Sequence, residues 1–93
     1  MGKIYTKYGA PDDSLPSRMA GRGIPTMVWR MTHGKARWFI FGDRSNNGSW
    51  QLLRSSEATE SGMPGWLASV TIEAARDIAI WLALPSGFFD HDQ

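Results

Sequence analysis

From Thr26 onward the chain begins to alternate. TMVWRM (26–31) places Met27, Trp29 and Met31 on one side and Val28 and Arg30 on the other, and a period of two in β-favouring residues predicts a strand. Thr32-His33-Gly34-Lys35 follows as a tight turn, in which Gly34 can take a positive φ. ARWFIF (36–41) alternates again and predicts the antiparallel partner. The loop DRSNNG (43–48) returns the chain to SWQLLR (49–54), a third strand whose Leu53 breaks the alternation and points to a bulge or a shift of register. Residues 55–65 read as a loop, and a connection of that length in a compact domain is expected to work or to move. WLASV (66–70) reads as a short fourth strand leading into a helix.

At Thr71 the period becomes helical. Ala74, Ala75, Ile78, Trp81 and Leu82 form an apolar stripe, Thr71 suits the N-cap, and Pro85 ends the element. Glu73 sits in the first turn, where a carboxylate complements the helix dipole. Glu73, Arg76 and Asp77 lie on the opposite side, with Ile80 among them. Residues 1–25 hold three prolines and four glycines and read as an irregular N-terminal arm, with 17–23 mobile and Ile4 able to start an edge strand.

The pattern predicts an α+β fold: a small antiparallel three- to four-stranded sheet with one C-terminal helix packed on one face. It forms a single domain over 26–93, preceded by the arm. Met27, Trp29, Trp38, Ile40, Trp50 and Leu52 are expected to face the helix. Val28, Arg30, Arg37, Phe39, Phe41 and Gln51 are expected to face away. In topology, residues 26–84 resemble small DNA-binding domains that lay a three-stranded sheet into the major groove, such as integrase arm-binding domains. That resemblance is one of topology, with no shared motif, and the 55–65 loop departs from it.

Composition sharpens this picture in two respects. The 93 residues contain no cysteine, which removes disulfides and thiolate chemistry and favours a cytoplasmic setting, and no apolar run reaches the length of a membrane span. The net charge of +1 conceals a split. Residues 1–54 carry nine Lys and Arg against three Asp, and residues 55–93 carry one Arg against six acidic groups. Such a split either marks a basic face for an anionic partner or draws the two halves together in the fold.

Chemistry-bearing sets are scarce. His33 reads as a turn residue. Asp90-His91-Asp92 offers ligand atoms that alternate in direction along an extended tail. The serines lack a histidine and carboxylate at recognisable spacing. A non-enzymatic binding protein with no cofactor and no metal is therefore expected. Its leading partner is nucleic acid, DNA or RNA: Arg30, Lys35 and Arg37 would take phosphates, Phe39 and Phe41 would stack on bases, and Arg18 and Arg22 on the arm would reach a groove. Two alternatives leave that face closed, either under the arm, through Tyr5, Tyr8 or Leu15, or in a homodimer. A third has the chain bind a protein, as an inhibitor or adaptor of the kind phages and mobile elements carry, through the aromatic face, Trp66 and the 55–65 loop.

Overall fold

The three alternating stretches after Thr26 are strands, and a fourth strand precedes them. The structure, a computed structural model, describes residues 2–17, 24–45, 48–57, 59–60, 62–63, 65–85 and 87–90. In chain order the elements are helix α1 (Gly2–Tyr8), strands β1 (Asp13–Ser17), β2 (Thr26–Met31), β3 (Arg37–Gly42) and β4 (Gln51–Ser55), a 3-10 turn at Trp66–Ala68, and helix α2 (Ile72–Trp81). The strands form one antiparallel sheet in the order β1-β2-β3-β4. The α+β expectation holds, with two helices in place of one. Residues 2–17 are not part of an irregular arm, since they contribute α1 and β1.

Helix α2 packs as the pattern requires. Thr71 Oγ1 accepts from the Ala74 N–H at 3.2 Å, and Ala74, Ala75, Ile78, Ala79 and Leu82 are buried against Val28, Ile40 and Leu53 of the sheet. The helix closes through Ala83, whose φ is 61°. The Ala83 N–H donates to Ile80 O and the Leu84 N–H to Ala79 O, so the last carbonyls are satisfied.

The faces of β2 are the reverse of those expected. Val28 pairs with Ile40 and Arg30 with Trp38, so these four point toward α2, while Met27, Trp29 and Met31 lie on the other side with Phe39 and Phe41. The cause is the hairpin. Its connection is five residues, 32–36, where a four-residue turn would pair Met31 with Ala36, and a one-residue slip turns every side chain over. In β4 the expected irregularity is present: the register shifts opposite Ile40 and Phe41, Leu53 turns to the α2 side, and Trp50 and Leu52 fall on the other.

The second face is also a core. Ile4 and Tyr8 of α1 lie on Met31, Phe39 and Phe41, with the Tyr8 and Phe39 ring centroids 5.1 Å apart and Trp29 edge-on to Phe41 at 5.0 Å. The sheet is thus sandwiched between α1 and α2. That answers why β3 is bulky on both sides, and it removes the likeness to domains whose bare sheet enters a groove.

The connection after β4 is held close to the sheet. The Met63 N–H donates to Leu53 O, and a Cβ on Gly62 would stand 2.3 Å from that oxygen, so only glycine fits there. WLASV is a turn and not a strand. Trp66 and Val70 both point into the α2-side core, and the Ser69 and Val70 N–H groups both donate to Trp66 O, at 3.0 and 3.1 Å, which closes a helical turn. Phe89 completes that core, edge-on to Trp38 at 5.5 Å and to Trp66 at 5.3 Å. No helix among the described residues is long and apolar enough to cross a membrane.

Candidate nucleic-acid interface

The residues expected to form the contact surface are scattered by the fold. Phe39 and Phe41 have essentially no exposed surface, so neither can stack on a base; α1 covers them. Trp66 is 3% exposed and packs in the other core. Arg30 points to the α2 side. Its guanidinium sits 4.5 Å from the Trp81 ring, Nη1 donates to Trp81 O at 2.9 Å, and Nη2 donates to Asp13 Oδ2 at 2.9 Å. It ties β1, β2 and α2 together. Arg18 and Arg22 lie outside the described residues, as do the rest of the stretch expected to be mobile after Ser17, and His91 and Asp92 of the tail. Lys35 and Arg37 alone remain where a partner can approach.

They are joined there by α1. Ile4 and Tyr8, one helical turn apart, bury one stripe of the helix, which leaves Lys3 and Lys7 on a flank and Tyr5 exposed. The 55–65 loop supplies the counter-charges. Glu60 is buried, and its Oε2 accepts from Lys7 Nζ at 2.5 Å and from the Tyr8 hydroxyl at 3.1 Å. Lys3 Nζ stands 3.9 Å from its Oε1. The Lys7 ammonium holds the Glu60 carboxyl below the usual glutamate range against the opposing effect of burial, with Tyr8 adding to the same direction. Glu60 in turn raises the Lys7 ammonium. Glu57 lies 3.4 Å from Arg37 Nε and 3.7 Å from Lys35 Nζ, and the Arg37 guanidinium rests 5.1 Å from the Tyr8 ring.

Lys35 and Arg37, at the start of β3, are therefore continued by Lys7 and Lys3 of α1, linked through Glu57, Tyr8 and Glu60. Four cations meet two carboxylates, so the face keeps an excess of two positive charges. The excess resides where the pairing is loosest, at Lys3 (85% exposed) and Lys35 (70% exposed). The charge split is thus partly cancelled in the fold, because acids of the second half neutralise cations of the first. The α2 side differs in sign: Glu73 and Asp77 are exposed, and Arg76 is taken up by Asp90 at 3.1 Å.

Beside the first turn of α1 the surface opens into a cleft of about 300 Å³. Phe41 and Trp50 form its aromatic wall, Ile4 its helical wall, and Lys3, Thr59 and Glu60 its polar rim. No set of three or more histidine or acidic side chains among the described residues is placed to hold a metal ion. The sequence does not disclose the cation row because nothing local marks 2–8 as a helix. In a helix, Ile4/Tyr8 and Lys3/Lys7 are two i, i+4 pairs on adjacent stripes, and that spacing is the signal that could have revealed it. The chain matches no known family, and no curated protein or solved structure is significantly similar to it.

Proposed function

We propose that the chain is a non-enzymatic, cytoplasmic protein that binds nucleic acid on its α1 side, through Lys3, Lys35 and their neighbours Lys7 and Arg37. The carrying observation is the excess of cations over carboxylates along α1 and the adjoining start of β3, with the most exposed cations the least tightly paired. Phosphates favour such a row, and binding through it releases counterions.

The test is a titration of labelled mixed-sequence single strands across salt. Two to four phosphate contacts predict a slope of log K against log salt of about −1.5 to −3. Lys3→Ala and Lys35→Ala should each lower that slope by about 0.7 without changing the fold. Lys7→Ala should loosen α1 as well, because Lys7 is hydrogen-bonded to Glu60. Absence of binding at about 50 mM salt, where such contacts are strong, would remove the proposal.

A protein partner is favoured by a separate observation. Ile80 is 62% exposed on α2 beside Glu73 and Asp77, a hydrophobic anchor in an acidic surround that suits a basic protein. The 55–65 loop does not serve this reading, since its acids are turned inward. A single stoichiometric protein recovered from nuclease-treated lysate, and lost on Ile80→Lys, would favour an inhibitor or adaptor over the first reading.

A further inference from the structure

We propose that the cleft beside the first turn of α1 receives one unstacked base of a single-stranded nucleic acid. This rests on the function proposed above and specifies its ligand. Three features of the cleft lead there.

The first is its aromatic wall. Trp50 is half-buried: it packs against the Phe41 cluster and also lines the cleft, so the ring is both fixed and accessible. A planar base stacks on such a ring whatever its identity. Phe39 and Phe41, buried as they are, cannot do this, and Trp50 takes over the role that the sequence suggested for them.

The second is the polar rim. Glu60 Oε2 is engaged by Lys7 and Tyr8, whereas Oε1 accepts no hydrogen bond among the described residues and stands 3.9 Å from Lys3 Nζ. A carboxylate oxygen at the cleft rim with no protein donor is an open position for an N–H on the edge of a base, and the exposed Thr59 hydroxyl stands at the same rim.

The third is continuity with the cation row. Lys3 lines the cleft and begins the sequence Lys3, Lys7, Arg37, Lys35. A strand whose base occupies the cleft can lay its next phosphates along α1. A free nucleotide would meet Lys3 alone. A duplex keeps its bases stacked and paired, and must unpair one before the cleft can be filled.

Anisotropy of a labelled strand of roughly 12 nucleotides, a length within the usual site sizes, gives affinity, and tryptophan fluorescence reports on the cleft. The strand should bind at least tenfold more tightly than the duplex of the same sequence and should quench tryptophan emission. Trp50→Leu should weaken the strand about tenfold and leave the duplex unchanged. Trp50→Phe should keep strand affinity within a factor of about three while losing the quench, which separates loss of stacking from loss of folding. Equal binding of strand and duplex, with no effect of Trp50→Leu in a variant of unchanged circular dichroism, would overturn this inference and leave the cation-row proposal standing. Absence of both would overturn the two together. Adenosine monophosphate binding as tightly as the strand would overturn the assignment to a strand.

Discussion

Replacing Phe39 by leucine asks whether the second face of the sheet is a core. Phe39 has no exposed surface, and Tyr8 of α1 lies on it with ring centroids 5.1 Å apart. Leucine keeps the site apolar but leaves part of the ring volume empty. At about 0.8 kcal/mol for each buried methylene, with a cavity term added, the loss should be about 1–2 kcal/mol. A domain of this length has about 5–15 kcal/mol to lose, so the variant remains folded and measurable. Tyr8→Leu removes the other ring. Direct ring contact predicts that the double variant departs from the sum of the singles by about 0.5–1.5 kcal/mol. Ile40→Val, one residue along and on the opposite face, should cost about 0.5–1.5 kcal/mol in the same assay. Urea unfolding of the five proteins at neutral pH, followed by far-UV circular dichroism, supplies all of these values. Were Phe39→Leu to behave like a surface substitution, within about 0.5 kcal/mol of the parent, or were the double variant additive, α1 would not cover the sheet and the geometry of the cation row would fail with it.

Other outcomes follow from single contacts. Ala83 holds a φ of 61° at an exposed helix end, so Ala83→Gly should stabilise by about 0.5–1 kcal/mol and raise the melting temperature by about 2–8 °C; a lower melting temperature would refute the left-handed cap. Arg30→Ala should destabilise by about 1–3 kcal/mol, since Arg30 bonds Trp81 O and Asp13, and should leave the salt slope of nucleic-acid binding unaltered. Two carboxyls among the described residues titrate below their ordinary range: Glu60, held down first by Lys7, and Asp12, held down first by the Thr32 backbone N–H and next by His33. A depressed carboxyl stabilises above its unfolded value and loses that contribution as pH falls through its folded one, so thermal stability should drop on acidification below about pH 4. Glu60→Gln with Asp12→Asn should flatten that drop. Lys7 is raised by Glu60, so its contribution should persist to alkaline pH and fade only above the ordinary lysine range.

What the sequence reveals here depends on how far the deciding interaction lies along the chain. Helix α2 is legible throughout, because its cap, stripe and stop are all within a few residues of one another. β3 is legible for the same reason. The faces of β2 are not, because they depend on whether the hairpin connection holds four residues or five, and Thr32 to Ala36 gives no local signal for either. β1 is obscured by Pro16, which is tolerated because β1 is an edge strand, a fact that only the assembled sheet supplies. α1 is the hardest case. Seven residues do not make a stable helix alone, and of GKIYTKY only the two lysines are strong helix formers. Its helix is held by Tyr8 on Phe39 and by Lys7 on Glu60, contacts that span 31 and 53 positions. The site follows the same rule: Lys35 and Arg37 could be named in advance, while Lys3, Lys7 and Trp50 could not, because their roles depend on α1 being in place.

The 55–65 loop accounts for the link between fold and site. Glu60 and Glu57 are the two carboxylates that fix α1 and the start of β3, and each is shared unequally between two cations. Lys7 and Arg37 sit against them, at 2.5 and 3.4 Å, with Tyr8 between, and so belong mainly to the fold. Lys3 and Lys35 stand farther off, at 3.9 and 3.7 Å, and remain largely in solvent. One carboxylate cannot fully neutralise two ammonium or guanidinium groups. Each pair therefore leaves one cation structurally committed and one available, and the available ones lie at the two ends of the row. Lys3 and Lys35 are largely in solvent, so each gains little from its share of the carboxylate, typically below about 1 kcal/mol, and turning it toward a phosphate costs the domain little. The same unequal sharing that docks the helix keeps its outer cations free for an anionic partner.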